Sequence, residues 1–221
     1  VQLHPDFRHL EAEMVAWCEE NLAAPAGEGG SRLRMYVHDY DTPRRRLLAA
    51  RGWAEDEEWG MMRRLRFGDR PVEVPDIAPG YLLRETRPGP ADDQGIADIL
   101  NAAFRRSIHT AAEFRGFTRH APSYRRDLDL VAVAPDGELA AFCTVWFDEA
   151  TASAAFEPVG TNPAHQRRGL GKALLVEGLR RAHALGATLV TVCSYSEAAG
   201  ALYDSVGFSE FDMNEPWVKE W

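Results

Sequence analysis

Apolar positions along this chain recur with two periods, about every second residue and about every three to four, and each change of period marks an element. Residues 81–87 alternate as a strand, and 91–106 carry a helical stripe with Asp92 or Asp93 placed to cap it. An apolar run at 128–134 reads as a buried strand, and Pro135-Asp136-Gly137-Glu138 is a hairpin turn leading into a second strand over 139–147. A third strand follows over 152–159. Downstream, 170–185 is an amphipathic helix ended by Gly186, and 188–193 is a buried strand. A helix over 197–206 has Ser196 as its cap and Gly207 as its stop, and the tail to Trp221 reads as strand. An antiparallel meander followed by alternating strand and helix predicts an α/β fold, a mixed central sheet flanked by helices.

Three prolines and a glycine in the stretch 70–80 interrupt any helix or central strand, so the expected boundary falls there, with units over 1–76 and 77–221. The first unit echoes the second. Residues 37–53 (VHDYDTPRRRLLAARGW) align with 192–208 (VCSYSEAAGALYDSVGF) without a gap, pairing Gly52 with Gly207, Trp53 with Phe208 and Leu48 with Tyr203. Upstream, His4-Pro5-Asp6-Phe7-Arg8 leads into a helix over 10–22.

Composition narrows the partners. The chain has 221 residues, 45% hydrophobic and 27% charged, which is ordinary usage for a soluble globular protein. No run approaches the ~20 apolar residues of a membrane span and no secretion leader opens the chain, so the expected location is cytoplasmic, with no membrane partner. Cys18, Cys143 and Cys193 are odd in number and far apart, which indicates neither disulfides nor a metal site. A net charge of −9 argues against nucleic acid and mildly favours an amine-bearing small molecule.

The densest signal is the stretch 157–175, EPVGTNPAHQRRGLGKALL, in which an extended segment passes through a basic, glycine-bearing turn into an apolar helix. Free amides at a helix start and glycines that admit a close backbone approach suit an anion such as a pyrophosphate. The spacing Gln166-x-x-Gly169-x-Gly171, with Ala199-x-x-Leu202-Tyr203-x-x-x-Gly207-Phe208 downstream, resembles the acyl-coenzyme A signature of the GNAT superfamily of N-acetyltransferases.

That resemblance implies an acetyl-coenzyme A-dependent N-acetyltransferase acting on a primary amine of a small molecule, by direct transfer in a ternary complex and without a metal. Val159 and Thr161 would meet the pantetheine arm, and Arg167, Arg168, Gly169, Gly171 and Lys172 the pyrophosphate. Tyr203 would protonate the departing thiolate, against the plain reading of a packing tyrosine. Glu157 is either the group that takes the amine proton or a structural carboxylate; His109, His120 and His165 are alternative bases or surface residues. Ser196, where the family often has asparagine, would cap its helix beside the cofactor. The aromatic segment 114–124 lies where the family forms its substrate-facing wall. Gly-x-Gly-x-x-Gly after a first strand is missing, which excludes a dinucleotide site. A non-catalytic acyl-coenzyme A sensor is the alternative.

In the first unit the corresponding neighbourhood offers Leu10, Glu11 and Glu13 instead of glycines, and Leu48 instead of the tyrosine. The expectation is a degenerate, partial repeat of structural role that binds no cofactor, with the meander expected before Val1 absent from this sequence. Its apolar residues, Trp17, Leu47, Leu48, Trp53, Trp59 and Met62 among them, then need cover from the second unit or another chain, a homodimer being one such arrangement.

Overall fold

Side-chain alternation in the strands sends neighbouring residues to opposite faces, and in the second half of this chain both faces are apolar, so helices are required on each. The computed structural model describes residues 3–57, 60–68 and 74–221. Contacts divide the chain into two units, Val1–Met62 with Phe211–Trp221, and Arg63–Glu210.

In the first unit a 3-10 turn, Pro5–Leu10, runs into α1 (Glu11–Asn21); β1 (Ala24–Pro25), β2 (Ser31–His38), α2 (Thr42–Ala50) and β3 (Ala54–Glu55) follow. The strand β4 (Gly60–Arg66) carries the chain across the division. The second unit contains β5 (Leu82–Glu85), α3 (Pro90–Phe104), α4 (Ala111–His120), β6 (Asp129–Val133), β7 (Leu139–Asp148), β8 (Ser153–Thr161), α5 (Leu170–Ala184), β9 (Leu189–Ser194) and α6 (Glu197–Asp204). Its strands lie in the order β4-β9-β8-β7-β6-β5. The last strand, β10 (Glu210–Glu220), pairs antiparallel with β2, from Asn214 against His38 to Glu220 against Arg32.

The second unit has two cores, one on each face of its sheet. Leu130 and Ala132 of β6 and Cys143 and Val145 of β7 pack with Leu170, Leu174, Leu175 and Leu179 of α5 and with Tyr203 of α6. The alternate residues, Val131, Val133, Leu139 and Phe142, pack with Ile96 and Ile99 of α3 and Phe114 of α4. Glycine allows two of these contacts. A Cβ on Gly178 would stand 2.5 Å from the Phe156 ring, and one on Gly160 would stand 2.6 Å from that of Phe142. A large buried aliphatic side chain contributes about 1.5–3 kcal/mol, so α5 is held mainly by its leucines.

Three expectations change. Residues 211–221 belong with the first unit, where Trp217 joins Val15, Met35, Val37, Leu48 and Trp53 in one core. Leu48 and Trp53 thus find cover inside their own unit, while Trp17 is 55% exposed. Asp92 and Asp93 do not cap α3: its cap is Gly89, at φ 138°, and the acids pair with arginines instead, Asp92 with Arg84 (2.6 Å) and Asp93 with Arg115 (2.8 Å). Part of the expected boundary, residues 70–73, and Trp59 lie outside the described residues; 74–80 fall within the span of the second unit. Among the described residues no helix is long and apolar enough to cross a membrane.

Candidate active site

Strands β8 and β9 run parallel from Ser153 against Leu189 to Phe156 against Val192, and there the pairing ends. Beyond it β8 stays with β7, pairing Val159, Gly160 and Thr161 with Cys143, Phe142 and Ala141 across an irregularity between Cys143 and Val145. The stretch from Glu157 to Thr161 therefore has one edge without a strand partner among the described residues, at the carboxyl ends of two parallel strands. Ligands of α/β sheets characteristically enter at such a parting.

At the end of β8 the chain makes a 3-10 turn, Pro163–His165, and reaches α5 through Arg167 at φ 63° and Gly169 at φ 75°. Gly169 occupies the cap position of α5 without a side chain to fill it. As a result none of the six backbone N–H groups from Arg167 to Lys172 donates to an acceptor among the described residues; the helix ladder begins with Ala173 donating to the Gly169 carbonyl at 3.0 Å. Unpaired amides at a positive helix end form an anion cradle. Arg167, Arg168 and Lys172 are exposed around it, and none lies within ion-pair distance of a carboxylate among the described residues.

The two glycines of the loop differ in purpose. Gly169 needs its positive φ and has open space about it, whereas a Cβ on Gly171 would stand 3.2 Å from Leu202 of α6 and 3.6 Å from the Thr161 hydroxyl. Gly171 is buried and lets α5 pack against α6. Half-buried Val159 packs against the α5-side core.

Tyr203 lies at the α6 side of the slot, 5% exposed, with its ring edge-on to Phe208. Its hydroxyl has no hydrogen-bond partner among the described residues, yet it is not one of the sealed, unpartnered polar atoms. Burial pushes its pKa up to about 12; the nearby Cys143, Cys193 and Glu157 add to this, while Arg63 opposes it. The phenol is accordingly a proton donor throughout the neutral range. Cys193, on β9, is likewise held protonated by burial.

Glu157 is exposed, and its carboxylate accepts no hydrogen bond from the backbone of the described residues; its carbonyl is the group held, by Trp146 Nε1 at 2.7 Å. That leaves the side chain available to the slot. Of the alternative bases, His165 braces the loop, its ring nitrogens 2.9 Å from the Tyr81 hydroxyl and 3.3 Å from Glu138. His109 pairs with Glu113 at 3.4 Å, and His120 is exposed at the end of α4. Ser196 accepts the Ala199 N–H at 3.2 Å and so caps α6 as expected. Trp146 and Tyr124 meet Phe117 of α4 edge-on, at 5.7 and 5.6 Å between ring centres.

Sequence reasoning overlooked two groups here. Asp129, buried at the start of β6, accepts from Tyr124 (2.6 Å), Thr144 (2.8 Å) and Thr86 (2.9 Å), and burial raises its pKa. An aspartate inside the apolar run 128–134 was the visible sign. Arg63 looks like one of several basic strand residues, and nothing in the sequence marks it as buried.

Residues 94–208, which contain the parted strands, the loop and Tyr203, match the acetyltransferase (GNAT) family. The chain belongs to that family. It is 36% identical over 198 residues to a mycothiol acetyltransferase of Kineococcus radiotolerans and 35% identical over 211 residues to one of Nocardia farcinica, matches that take in 85% and 88% of this chain. They take in 62% and 65% of those proteins, so the chain spans less than two thirds of the curated relatives' length. Among solved structures, a GNAT acetyltransferase of Sphaerobacter thermophilus superposes with a TM-score of 0.77 at 23% identity over 99% of this chain and 70% of the other. A tandem GNAT protein from the clavulanic acid pathway does so with 0.73 at 16%, over 99% and 73%. Both likenesses concern the fold.

Proposed function

We propose that this chain is an acetyl-coenzyme A-dependent N-acetyltransferase that acylates a primary amine of a small molecule by direct transfer in a ternary complex. The observation that carries this is the run of six undonated amides at α5 on the same parted strands that Tyr203 borders with an unpartnered hydroxyl. The amides from Arg167 to Lys172, with the three flanking cations, would hold the pyrophosphate; the unpaired edge of Glu157 to Thr161 would hold the pantetheine arm and polarise the thioester carbonyl. The amine nitrogen attacks the carbonyl carbon as the carbon–sulfur bond breaks. Tyr203 gives its proton to the leaving thiolate, and Glu157, directly or through water, takes one from the amine. Ser196 serves the site by fixing α6.

Within this reading the first unit is a degenerate repeat that binds no coenzyme A. Glu11 there is buried and accepts from Arg8 (3.2 Å) and Arg44, and Asp41 accepts Arg8 through two bonds of 2.7 Å. Carboxylates already neutralised by their own arginines leave nothing for a phosphate.

Acetyl-coenzyme A offered with tyramine, spermidine, glucosamine and S-methylcysteamine tests the activity, read as amine-dependent release of free thiol. The relatives' name adds mycothiol-related amines to the panel. Cofactor binding without thiol release for any acceptor would favour a sensor instead, a role for which a poised proton donor has no use.

A further inference from the structure

Arg63 is 6% exposed, with its guanidinium between the end of β9 and the helix that carries Tyr203. Its Nε donates to the Ser194 hydroxyl at the end of β9 (3.0 Å), and one terminal nitrogen donates to the Asp204 carboxylate and to the Phe208 carbonyl (3.4 Å). The other terminal nitrogen lies over Gly200, where a Cβ would come within 2.8 Å of it. These contacts surround Tyr203 in sequence and in space: Asp204 follows it, Gly200 is one turn before it, and the Phe208 N–H donates to the Tyr203 carbonyl at 3.1 Å. Helix α6 has eight residues and only a serine cap at its start. A helix that short is marginal without tertiary support.

Given the role proposed for Tyr203, we infer that Arg63 is a positioning residue for it: its forked guanidinium ties the end of β9 to the carboxyl-terminal end of the Tyr203 turn, at Asp204 and Phe208, and thereby aims the hydroxyl toward the parted strands. Gly200 is the complementary half of the device, since any side chain there would displace the guanidinium. Arginine suits the task because its planar, rigid fork fixes the directions of its donors, which the compact, rotating ammonium of a lysine does not. Its positive charge also opposes the rise of the Tyr203 pKa caused by burial. Arg63 touches no reacting atom; it acts through the tyrosine.

The test is a double-mutant cycle on the full chain, using the most active acceptor of the amine panel. Arg63→Met is expected to lower kcat by between about 10- and 100-fold while KM for acetyl-coenzyme A stays within about twofold. In a Tyr203→Phe background the same change should cost almost nothing further, because a misaimed ring without a hydroxyl loses nothing more. Arg63→Lys should recover part of the loss. An equal loss in both backgrounds, or a rise in KM alone, overturns the positioning role and leaves that of Tyr203 standing. A Tyr203→Phe variant as active as the parent overturns the general acid and this inference together. Should Arg63→Met fail to fold, Asp204→Asn, which loosens the same tie from its exposed side, runs through the same two backgrounds and decides by the same criteria.

Discussion

Val37 to Trp53 in one unit and Val192 to Phe208 in the other close the same turn with the same bonds. Asp41 caps α2 by accepting the Arg44 N–H at 3.3 Å; Ser196 caps α6 by accepting that of Ala199 at 3.2 Å. Gly52 and Gly207 both take positive φ, 81° and 101°, and donate to Ala49 and Asp204 at 3.1 and 3.0 Å. Trp53 and Phe208 then donate to the carbonyls of Leu48 and Tyr203, each at 3.1 Å. The backbone design is shared; the differences lie in which polar groups are left open. Around α2 the charged groups are consumed: Glu11 and Asp41 hold Arg8 and Arg44, and Arg45, at the position matching Gly200, bonds to Glu55 at 2.7 Å, while His38 Nδ1 at the end of β2 is sealed without a partner among the described residues. Around α5 and α6 the loop amides and the phenol are left unpaired. Folding favours the first arrangement, and binding requires the second.

Replacing the equivalent buried residues should separate the two roles most sharply. Leu48 is fully buried, so Leu48→Ala is expected to cost about 2–5 kcal/mol of stability, measured by denaturant unfolding, with kcat per folded molecule unchanged. Tyr203→Phe keeps the ring and its packing, so stability should hold while turnover falls by a factor on the order of 10² and coenzyme A affinity stays constant. Reversed outcomes would mean that the matched positions had been assigned the wrong way round. Because the Tyr203 pKa is about 12, ionisation of this acid should produce no loss of rate as pH rises past the ordinary tyrosine value of about 10. An alkaline limb that is present in the parent and absent from Tyr203→Phe would contradict this.

The next contrast is between the two would-be phosphate sites. Calorimetry with coenzyme A should give one equivalent per chain, and a second of similar affinity would refute the degenerate repeat. Gly169→Ala places a Cβ at φ 75° with nothing to clash against, so its strain is about 1–2 kcal/mol, and affinity should drop by up to about tenfold as the loop amides turn away. Gly171→Val should act differently, by wedging α5 from Leu202 of α6, and so lower stability and turnover together.

Local chemistry made much of this legible in the sequence. The strand and helix succession from 81 onward, the Pro135 to Glu138 turn and the Ser196 cap all rest on contacts between near neighbours, and the structure has each of them. Helix α4 was missed although its capping box, Thr110 with Glu113, stands in the sequence. Asp92 and Asp93 were misread because a first-turn acid and a capping acid look alike until a distant arginine, Arg84 or Arg115, is brought near. Long-range pairing hid the rest: the return of residues 211–221 to the first unit, and the burial of Arg63 against residues more than a hundred positions away. Gly171 shows the same limit, since its spacing marks the motif but only packing against Leu202 explains its size.

The smallest expected effect distinguishes the caps. Ser196→Ala removes one hydrogen bond from an exposed side chain, so α6 should lose about 1 kcal/mol, evenly across pH because no titrating group is involved. Asp41→Ala removes the same bond to α2 and, in addition, the two bonds to Arg8. The Arg8 guanidinium, with the Arg44 N–H and charge, holds the Asp41 carboxyl below its ordinary value against the opposing effect of burial. A carboxylate whose pKa is lowered on folding contributes stability that is present above the unfolded value, about 3.9, and is lost as pH falls through the folded one. Asp41→Ala should thus cost more than Ser196→Ala at neutral pH, and the excess should fade in acid. Parallel urea titrations of both variants across that range would check it. If the two penalties match at neutral pH, Asp41 is a cap and nothing more, and its bonds to Arg8 add no stability.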